Sequence, residues 1–229
     1  MDKKLFLLPG LDGTGTLFDP LLRELPTKCV LEVISYPTDQ PQTFEQHVEH
    51  VAERLPKHTP IILLAESFSG PVAIEILSSG EFQIERVIFV ATFVKSPQPT
   101  ILGVAKHLPL SSLLQLNLPS VLVRYYCFGK KATETQIELF KKNVGKVAPE
   151  VLAQRLKILA TVDLTNKLKD IKVPCCYIQA KNDKLVSSGA VTDFEKGIKK
   201  LRVHRINGPH LILQAEPKAC AEVICQEVT

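Results

Sequence analysis

The sequence lacks any run of eighteen apolar residues, the length that a helix needs to cross a lipid bilayer. A signal peptide is not expected either, because the brief apolar stretch of Met1–Pro9 is too short for one and is better explained as a first strand. These absences predict a cytoplasmic protein with no stable membrane insertion.

Motifs for nucleotides, metals and nucleic acids are also missing. The glycines at positions 10, 13 and 15 do not fit G-x-G-x-x-G, and no pattern of interleaved aromatic and basic residues suggests a nucleic-acid surface. Six cysteines are present, but most lie in apolar or helical contexts, where reduced core thiols are expected. Cys175 and Cys176 are adjacent in one predicted strand, so they face opposite sides and cannot form a metal pair. We therefore expect no metal and no organic cofactor.

Apolar runs alternate with helical patterns along most of the 229 residues, which is typical of a parallel sheet covered by helices on both faces. This organisation predicts an α/β fold with about six mostly parallel strands. Strands are predicted near residues 4–8, 29–34, 61–65, 86–91, 174–180 and 201–206. Helices are predicted near residues 17–25, 43–55, 69–79, 187–199 and 216–227.

The alternation stops between about Pro97 and Asp163, where helical patterns dominate. We interpret residues 97–163 as a helical cap inserted into a core formed by residues 1–96 and 164–229. The first half of the cap is rich in Leu, Val and aromatic residues, which either line an acyl pocket or pack the cap onto the sheet.

The strongest chemical signal is the turn around Ser67, where the apolar run Ile61–Ala65 meets a helical pattern. Such a nucleophile elbow is so sharp that only small residues fit two positions before and after the serine, as Ala65 and Ser69 do. The alternative is an ordinary strand-to-helix loop whose serine caps the helix. A histidine and a carboxylate at suitable positions elsewhere in the chain would favour the nucleophile elbow over the helix cap.

A nucleophilic serine needs a histidine base, and His210 has the most suitable position among six histidines. It follows the last predicted strand and the turn residues Asn207–Pro209, so it can reach over the sheet edge toward the elbow. His47 and His50 instead lie in a polar helical stretch, where a solvated face is expected.

The carboxylate that orients this base is predicted to be Asp183, which leaves the buried strand that begins at Pro174. Asp163 and Asp193 compete, but one suits a helix cap and the other lies inside an amphipathic segment. The order serine, aspartate, histidine matches the expected chain order for this kind of triad.

With these residues in place, the chain resembles the α/β-hydrolase superfamily over nearly its whole length. The resemblance rests on Leu8–Gly13, Ala65–Gly70, the loop with Asp183, and Gly208–His210. Among relatives, it is similar to small carboxylesterases and thioesterases, including those like the pimeloyl-carrier-protein methyl ester esterase. The opening Leu8–Gly15 also resembles some lipid acyltransferases.

The resemblance implies a serine hydrolase that cleaves an ester or thioester through an acyl-Ser67 intermediate. It also implies an oxyanion hole formed by the backbone N–H groups of Leu11 and Phe68. The same scaffold serves acyltransferases, hydroxynitrile lyases and non-catalytic binding proteins, so the fold alone does not choose between them. An aspartyl-phosphate loop at Asp12–Thr16 is a further alternative, but it leaves Ser67 unexplained.

Positive charge is concentrated in the predicted cap. Residues 97–163 contain nine basic and four acidic residues, a net charge of +5, whereas the whole chain has a net charge of +4. Such a surface either solubilises a helix face or attracts an anionic handle on the acyl group. Lys141, Lys142 and Arg155 are the candidate contacts for that handle. Coenzyme A or an acyl carrier protein would supply the required charge.

Overall fold

Six parallel strands form the centre of the protein in a computed structural model that describes residues 4–27, 30–100, 111 and 119–228. The strand order is β2-β1-β3-β4-β5-β6, and each neighbouring pair is parallel. The strands are β1 (Lys4–Leu8), β2 (Val30–Val33), β3 (Ile61–Glu66), β4 (Ile84–Val90), β5 (Cys175–Ala180) and β6 (Leu201–Ile206). In such a sheet the carboxyl ends of the strands meet at one edge, where functional loops collect.

Helices connect the strands and cover both faces of the sheet. Within the described residues, the α-helices are α1 (Asp19–Glu24), α2 (Phe44–Ala52), α3 (Ser69–Ser79), α4 (Ser120–Val123), α5 (Glu134–Val144), α6 (Pro149–Thr161), α7 (Gly189–Gly197), α8 (Ile212–Ala215) and α9 (Pro217–Val228). A π-helical turn, Arg124–Phe128, continues directly from α4. Capping boxes at Thr43 and Thr133 fix the starts of α2 and α5 by satisfying their first backbone N–H groups.

The core divides into two layers because successive side chains of a strand point to opposite faces. Phe6, Leu63 and Phe89 belong to the layer that packs against α2, α3 and α7. Leu7 and Leu64 belong to the other layer, with α1, α8 and α9. Both faces are buried, which explains why the central strands are continuous apolar runs in the sequence.

The two ends of the predicted cap lie side by side. The N–H of Ser96 donates to the carbonyl of Val162 (2.9 Å), and the N–H of Leu164 donates to the carbonyl of Val94 (2.9 Å). Between them, the described residues from 119 onward form α4, the π-helical turn, α5 and α6. Residues 101–110 and 112–118, with much of the predicted acyl pocket, lie outside the described residues. The division into core and cap therefore stays a prediction.

The predicted α/β fold class and all six strand positions are confirmed, with boundaries shifted by one or two residues. Cys175 and Cys176 are both buried and belong to opposite core layers, as the strand pattern predicts. Within the described residues, no helix combines the length and apolar character that a membrane span requires.

Candidate active site

Ser67 lies in a sharp turn between β3 and α3, at the carboxyl edge of the sheet. Its φ of 46° falls in the left-handed region, which a residue with a Cβ adopts only under strain. The end of β4 and the residues after it fix this turn with two hydrogen bonds. The N–H of Ser67 donates to the carbonyl of Val90 (2.9 Å), and the hydroxyl of Thr92 donates to the carbonyl of Ser67. Ser67 remains partly exposed, so its hydroxyl is accessible to a substrate.

Gly70 allows this turn to pack closely against the next strand end. A Cβ on Gly70 would lie 1.9 Å from the hydroxyl oxygen of Thr92, a distance that no side chain tolerates. The close approach places the first turn of α3 directly against the loop after β4, and it depends on the absence of a side chain at position 70.

Three side chains from separate loops form one hydrogen-bonded chain. The hydroxyl Oγ of Ser67 lies 3.0 Å from Nε2 of His210, and Nδ1 of His210 lies 2.8 Å from Oδ2 of Asp183. With the proton on Nδ1, the ring donates to Asp183 and accepts the hydroxyl proton of Ser67. The sequence prediction named these three residues, and the structure brings all three together.

Asp183 is held in place by its second carboxylate oxygen. Oδ1 accepts hydrogen bonds from the backbone N–H groups of Leu185 and Val186, each 2.8 Å away. Oδ2 is therefore directed toward the imidazole. The competing aspartates are engaged elsewhere: Asp193 pairs with Lys95 (3.0 Å), and Asp163 accepts from the N–H of Thr165 (3.0 Å).

The environment of His210 favours its protonated form, although the ring is buried. Burial alone lowers the pKa of an imidazole, but the Asp183 carboxylate opposes that effect by its charge and by its hydrogen bond. The charge of Glu66 acts in the same direction, so the pKa of His210 is raised above its ordinary value. A raised pKa suits a base that must hold the serine proton during attack.

Glu66, the residue before the serine, is an ionisable group that sequence reasoning missed. It is 3% exposed, and burial raises its pKa to about 7. One of its oxygens accepts from the side-chain amide of Gln214 on α8 (3.0 Å). Glu66 thus connects the elbow to the helix that follows His210.

The predicted oxyanion-hole donors lie on loops that meet beside Ser67. Gly10 packs against the elbow, since a Cβ there would lie 3.8 Å from the Cβ of Ser67. The hydroxyl of Ser69 donates to the carbonyl of Pro9, which connects the start of α3 to the loop that carries Leu11. Phe68 immediately precedes α3, so its N–H is among the helix-start donors without an intrahelical acceptor. The roles of Leu11 and Phe68 stay predictions.

The predicted basic residues divide into two kinds. Lys142 is exposed and Lys141 is partly exposed at the end of α5, as an anion-binding surface requires. The assignment of Arg155 to that surface is wrong, because its side chain is fully buried and its guanidinium contacts backbone carbonyls. The expectation of a solvated His47 is also wrong, since His47 is 1% exposed and packs edge-on against Phe68.

A cavity of about 390 Å³ lies beside the loops that carry Asp183 and His210, and it is lined by their neighbours Lys184 and Pro209 but not by Ser67, Asp183 or His210 themselves. Its apolar lining includes Tyr125 and Phe128 from the π-helical turn. The N–H of Leu211 donates to the carbonyl of Cys127 (3.0 Å), which attaches this turn to the histidine loop. Its charged lining residues are Lys130, Lys131, Lys184 and Glu216.

One group of possible metal ligands lies apart from this site. Atoms of Cys176, His204 and Glu227 lie within 4.8 Å of one another. The carboxylate of Glu227 already accepts from the guanidinium groups of Arg86 (2.6 Å) and Arg202 (3.0 Å). We interpret the group as a structural ion-pair network, since two arginines neutralise the charge that a cation would need.

A parallel sheet with a strained serine after its third strand, a histidine after its last strand and helices on both faces defines an α/β hydrolase. The family model described as serine aminopeptidase, S33, matches residues 39–214. That match covers well over half of the chain, and the protein belongs to this family of hydrolases. A comparison with curated proteins gave no match.

Solved structures agree with this fold. A hydrolase from Oleispira antarctica superposes with a TM-score of 0.82 at 14% identity, covering 100% of this chain and 91% of the other. An esterase from Thermogutta terrifontis superposes with a TM-score of 0.82 at 16% identity, covering 99% of this chain and 89% of the other. The enol-lactonase from Burkholderia xenovorans superposes with a TM-score of 0.79 at 17% identity, covering 99% of this chain and 91% of the other. At these identities the likeness establishes the fold alone.

Proposed function

We propose that this protein is a serine esterase or thioesterase that acts through an acyl-Ser67 intermediate. The observation that carries the proposal is the unbroken hydrogen-bonded chain from Ser67 through His210 to Asp183. The order of these parts matches a nucleophile, a general base and the carboxylate that orients the base. The strained turn around Ser67 supports the assignment, because it presents the hydroxyl at the open edge of the sheet.

In the acylation step, Nε2 of His210 accepts the proton of Ser67 as the oxygen attacks the carbonyl carbon. The tetrahedral oxyanion accepts hydrogen bonds from the N–H groups of Leu11 and Phe68. Its collapse breaks the bond to the leaving alcohol or thiol, which takes the proton from His210. Water then attacks the acyl-serine by the same route, and the acid leaves as the serine regains its proton.

Charge in the cavity beside the Asp183 and His210 loops supports an ester or thioester over a peptide with a free amino terminus. An aminopeptidase must bind a protonated amine, which carboxylates attract and lysines repel. The charged lining of the cavity has three lysines and one glutamate. A neutral or anionic acyl compound fits this balance better than a cationic one.

The exposed lysines of α5 suggest where an anionic carrier would approach. Lys141 and Lys142 remain candidates for contact with the phosphates of coenzyme A or with an acidic carrier protein. A Lys141→Glu, Lys142→Glu variant should lower kcat/KM for acyl-coenzyme A and leave a small neutral ester unchanged. Equal effects on both substrates would exclude this contact.

The proposed function is tested with a substrate panel under one set of conditions. The panel contains p-nitrophenyl esters of graded chain length, acyl-coenzyme A thioesters and aminoacyl p-nitroanilides. We expect saturable turnover of esters or thioesters, and a loss of about 10⁶-fold in kcat for Ser67→Ala. An added alcohol or thiol acceptor that diverts the product would indicate an acyltransferase. Turnover confined to the anilides, or unchanged in Ser67→Ala, would refute the proposal.

A further inference from the structure

Arg155 carries a fully buried charge in α6, far along the chain from the residues that it contacts. Its side chain is 0% exposed, and no carboxylate of the described residues lies within ion-pair distance of it. Burial lowers the pKa of Arg155 to about 10, which still leaves the guanidinium protonated at neutral pH. A buried charge of this kind persists only when strong polar contacts replace water.

The contacts of Arg155 are almost entirely backbone carbonyls of the loops around the active site. Nη1 donates to the carbonyls of Leu11 (2.9 Å) and Asp12 (2.8 Å), and Nη2 donates to the carbonyl of Pro37 (2.8 Å). Nε donates to Nε2 of His47 at 3.4 Å. Burial lowers the pKa of His47 to about 4, so the neutral ring can accept this bond.

The two carbonyls bound by Nη1 belong to the turn that carries the predicted oxyanion donor. This turn closes with a hydrogen bond from the N–H of Gly13 to the carbonyl of Gly10 (3.1 Å). The carbonyl of Gly13 accepts in turn from the N–H of Tyr36 (2.8 Å). Four consecutive carbonyls, from Gly10 to Gly13, are thereby fixed.

Fixing a carbonyl also fixes the next N–H, because the peptide unit is planar and the two groups point in opposite directions. The N–H groups of Leu11 and Asp12 have no hydrogen-bond acceptor among the described residues, so they are available to a ligand. The carbonyl of Leu11 that Arg155 binds shares its peptide unit with the N–H of Asp12, and the positive charge strengthens that N–H as a donor. The N–H of Leu11 shares its peptide unit with the carbonyl of Gly10, which accepts from the N–H of Gly13. That N–H lies in the same peptide unit as the Asp12 carbonyl, so Arg155 orients the N–H of Leu11 through this hydrogen bond.

Gly13 shows that the turn and Arg155 are shaped to fit each other. A Cβ on Gly13 would lie 2.4 Å from Nη1 of Arg155. The φ of Gly13 is +70°, a conformation that glycine adopts without strain. The guanidinium therefore occupies the space that a side chain at this turn would fill.

We propose that Arg155 is a positioning residue that holds the turn at Leu11 and Asp12 so that its N–H groups meet the developing oxyanion. This inference rests on the proposed function, since it concerns the same serine chemistry. It makes α6 of the predicted cap part of the machinery that stabilises the transition state. Removal of the guanidinium leaves two carbonyls of the turn without donors, and the turn reorients to find new ones.

The first test compares Arg155→Met with Lys157→Met, which removes an exposed positive charge from the same helix. A fluorophosphonate, reacted to completion, counts the competent serines in each preparation. We expect Arg155→Met to lower kcat per competent site by about 10-fold to 100-fold, with less than about a threefold change in KM. Lys157→Met should match the wild type.

The second readout is the affinity for an aryl trifluoromethyl ketone, whose adduct with Ser67 places an oxyanion in the hole. Arg155→Met should weaken this affinity by about the same factor as kcat. The acid limb of the pH profile of kcat/KM should stay in place, because His210 and Asp183 are untouched. If Arg155 had a purely structural role, Arg155→Met would lower the melting temperature and the number of competent sites, but kcat per competent site and ketone affinity would not change.

The inference is wrong if kcat per competent site and ketone affinity both equal the wild-type values in Arg155→Met. If that variant does not fold, Arg155→Lys carries the test, because lysine keeps the charge but has only one nitrogen to serve several carbonyls. Arg155→Lys should show the same pattern with a smaller loss, and wild-type values would again refute the inference. A wild-type protein that does not react with the fluorophosphonate refutes the proposed function itself, and this inference with it.

Discussion

Replacement of Glu66 by glutamine should change how the stability of the protein depends on pH. Burial raises the pKa of Glu66 from 4.5 to about 7, so the folded protein holds a proton that the unfolded chain has already lost. The difference of about 2.5 pH units corresponds to roughly 3 kcal/mol of unfolding free energy, at about 1.36 kcal/mol per unit.

The sign follows from the direction of the shift. Because the folded pKa lies above the unfolded one, the free energy of unfolding falls as pH rises from about 4.5 to about 7, and the full cost is present above that range. Glutamine has the same shape and no charge, so Glu66→Gln avoids this cost. Its amide can also donate to the buried Oε1 of Gln214, which has no partner among the described residues.

Urea unfolding at pH 4.5 and pH 8 measures the effect directly. The free energy of unfolding of Glu66→Gln minus that of the wild type should be about 3 kcal/mol larger at pH 8 than at pH 4.5. Glu222→Gln is the control, because Glu222 is exposed and its replacement should change this difference by less than about 0.5 kcal/mol. Parallel pH dependences for the wild type and Glu66→Gln would refute the reasoning.

Three further predictions concern the site. Asp183→Asn should lower kcat by about 10⁴-fold without unfolding the protein, as judged by steady-state kinetics and circular dichroism. The kcat/KM of the wild type should fall as pH falls through the raised pKa of His210, and Glu66→Gln should move this limb to lower pH, because it removes a charge that raises that pKa. An unmoved limb would contradict the coupling. Gly70→Ala should destabilise the protein by about 1–3 kcal/mol, because the new Cβ would lie 1.9 Å from the hydroxyl oxygen of Thr92. Gly189→Ala is the control, since its Cβ would lie 3.5 Å from its nearest contact, and it should change stability by less than about 0.5 kcal/mol. Equal melting temperatures for the two variants would contradict this prediction.

The fold and the three central site residues could be predicted because each has a local signal. Buried parallel strands are short apolar runs, and their carboxyl ends are marked by turn residues. Ser67, Asp183 and His210 each follow such a run, so the sheet itself brings them to one edge. The chemistry of a serine nucleophile then selects one aspartate and one histidine from several.

The surroundings of the site could not be predicted, because their contacts join distant segments without a local pattern. Arg155 has the sequence context of an exposed basic residue on an amphipathic helix. It is buried because loop carbonyls 144 and 143 residues away in the chain satisfy its guanidinium. His47 is buried for a related reason, since it fills the space between this guanidinium and Phe68.

Glu66 illustrates the same limit. A glutamate between an alanine and a serine gives no sign that it will be enclosed at the end of a central strand. Its partner, Gln214, lies 148 residues later, on the short helix after His210. The pKa of a carboxyl group depends on this three-dimensional enclosure, which composition and spacing do not contain.

The assignment of Ser67 as the nucleophile is tested most directly by the intact mass of the protein after treatment with a fluorophosphonate, followed by peptide mapping. We predict a single covalent adduct on Ser67, its complete absence in Ser67→Ala, and slow labelling in a variant without His210. No adduct on the wild type, or an adduct on another residue that persists in Ser67→Ala, would contradict the assignment of Ser67 as the nucleophile.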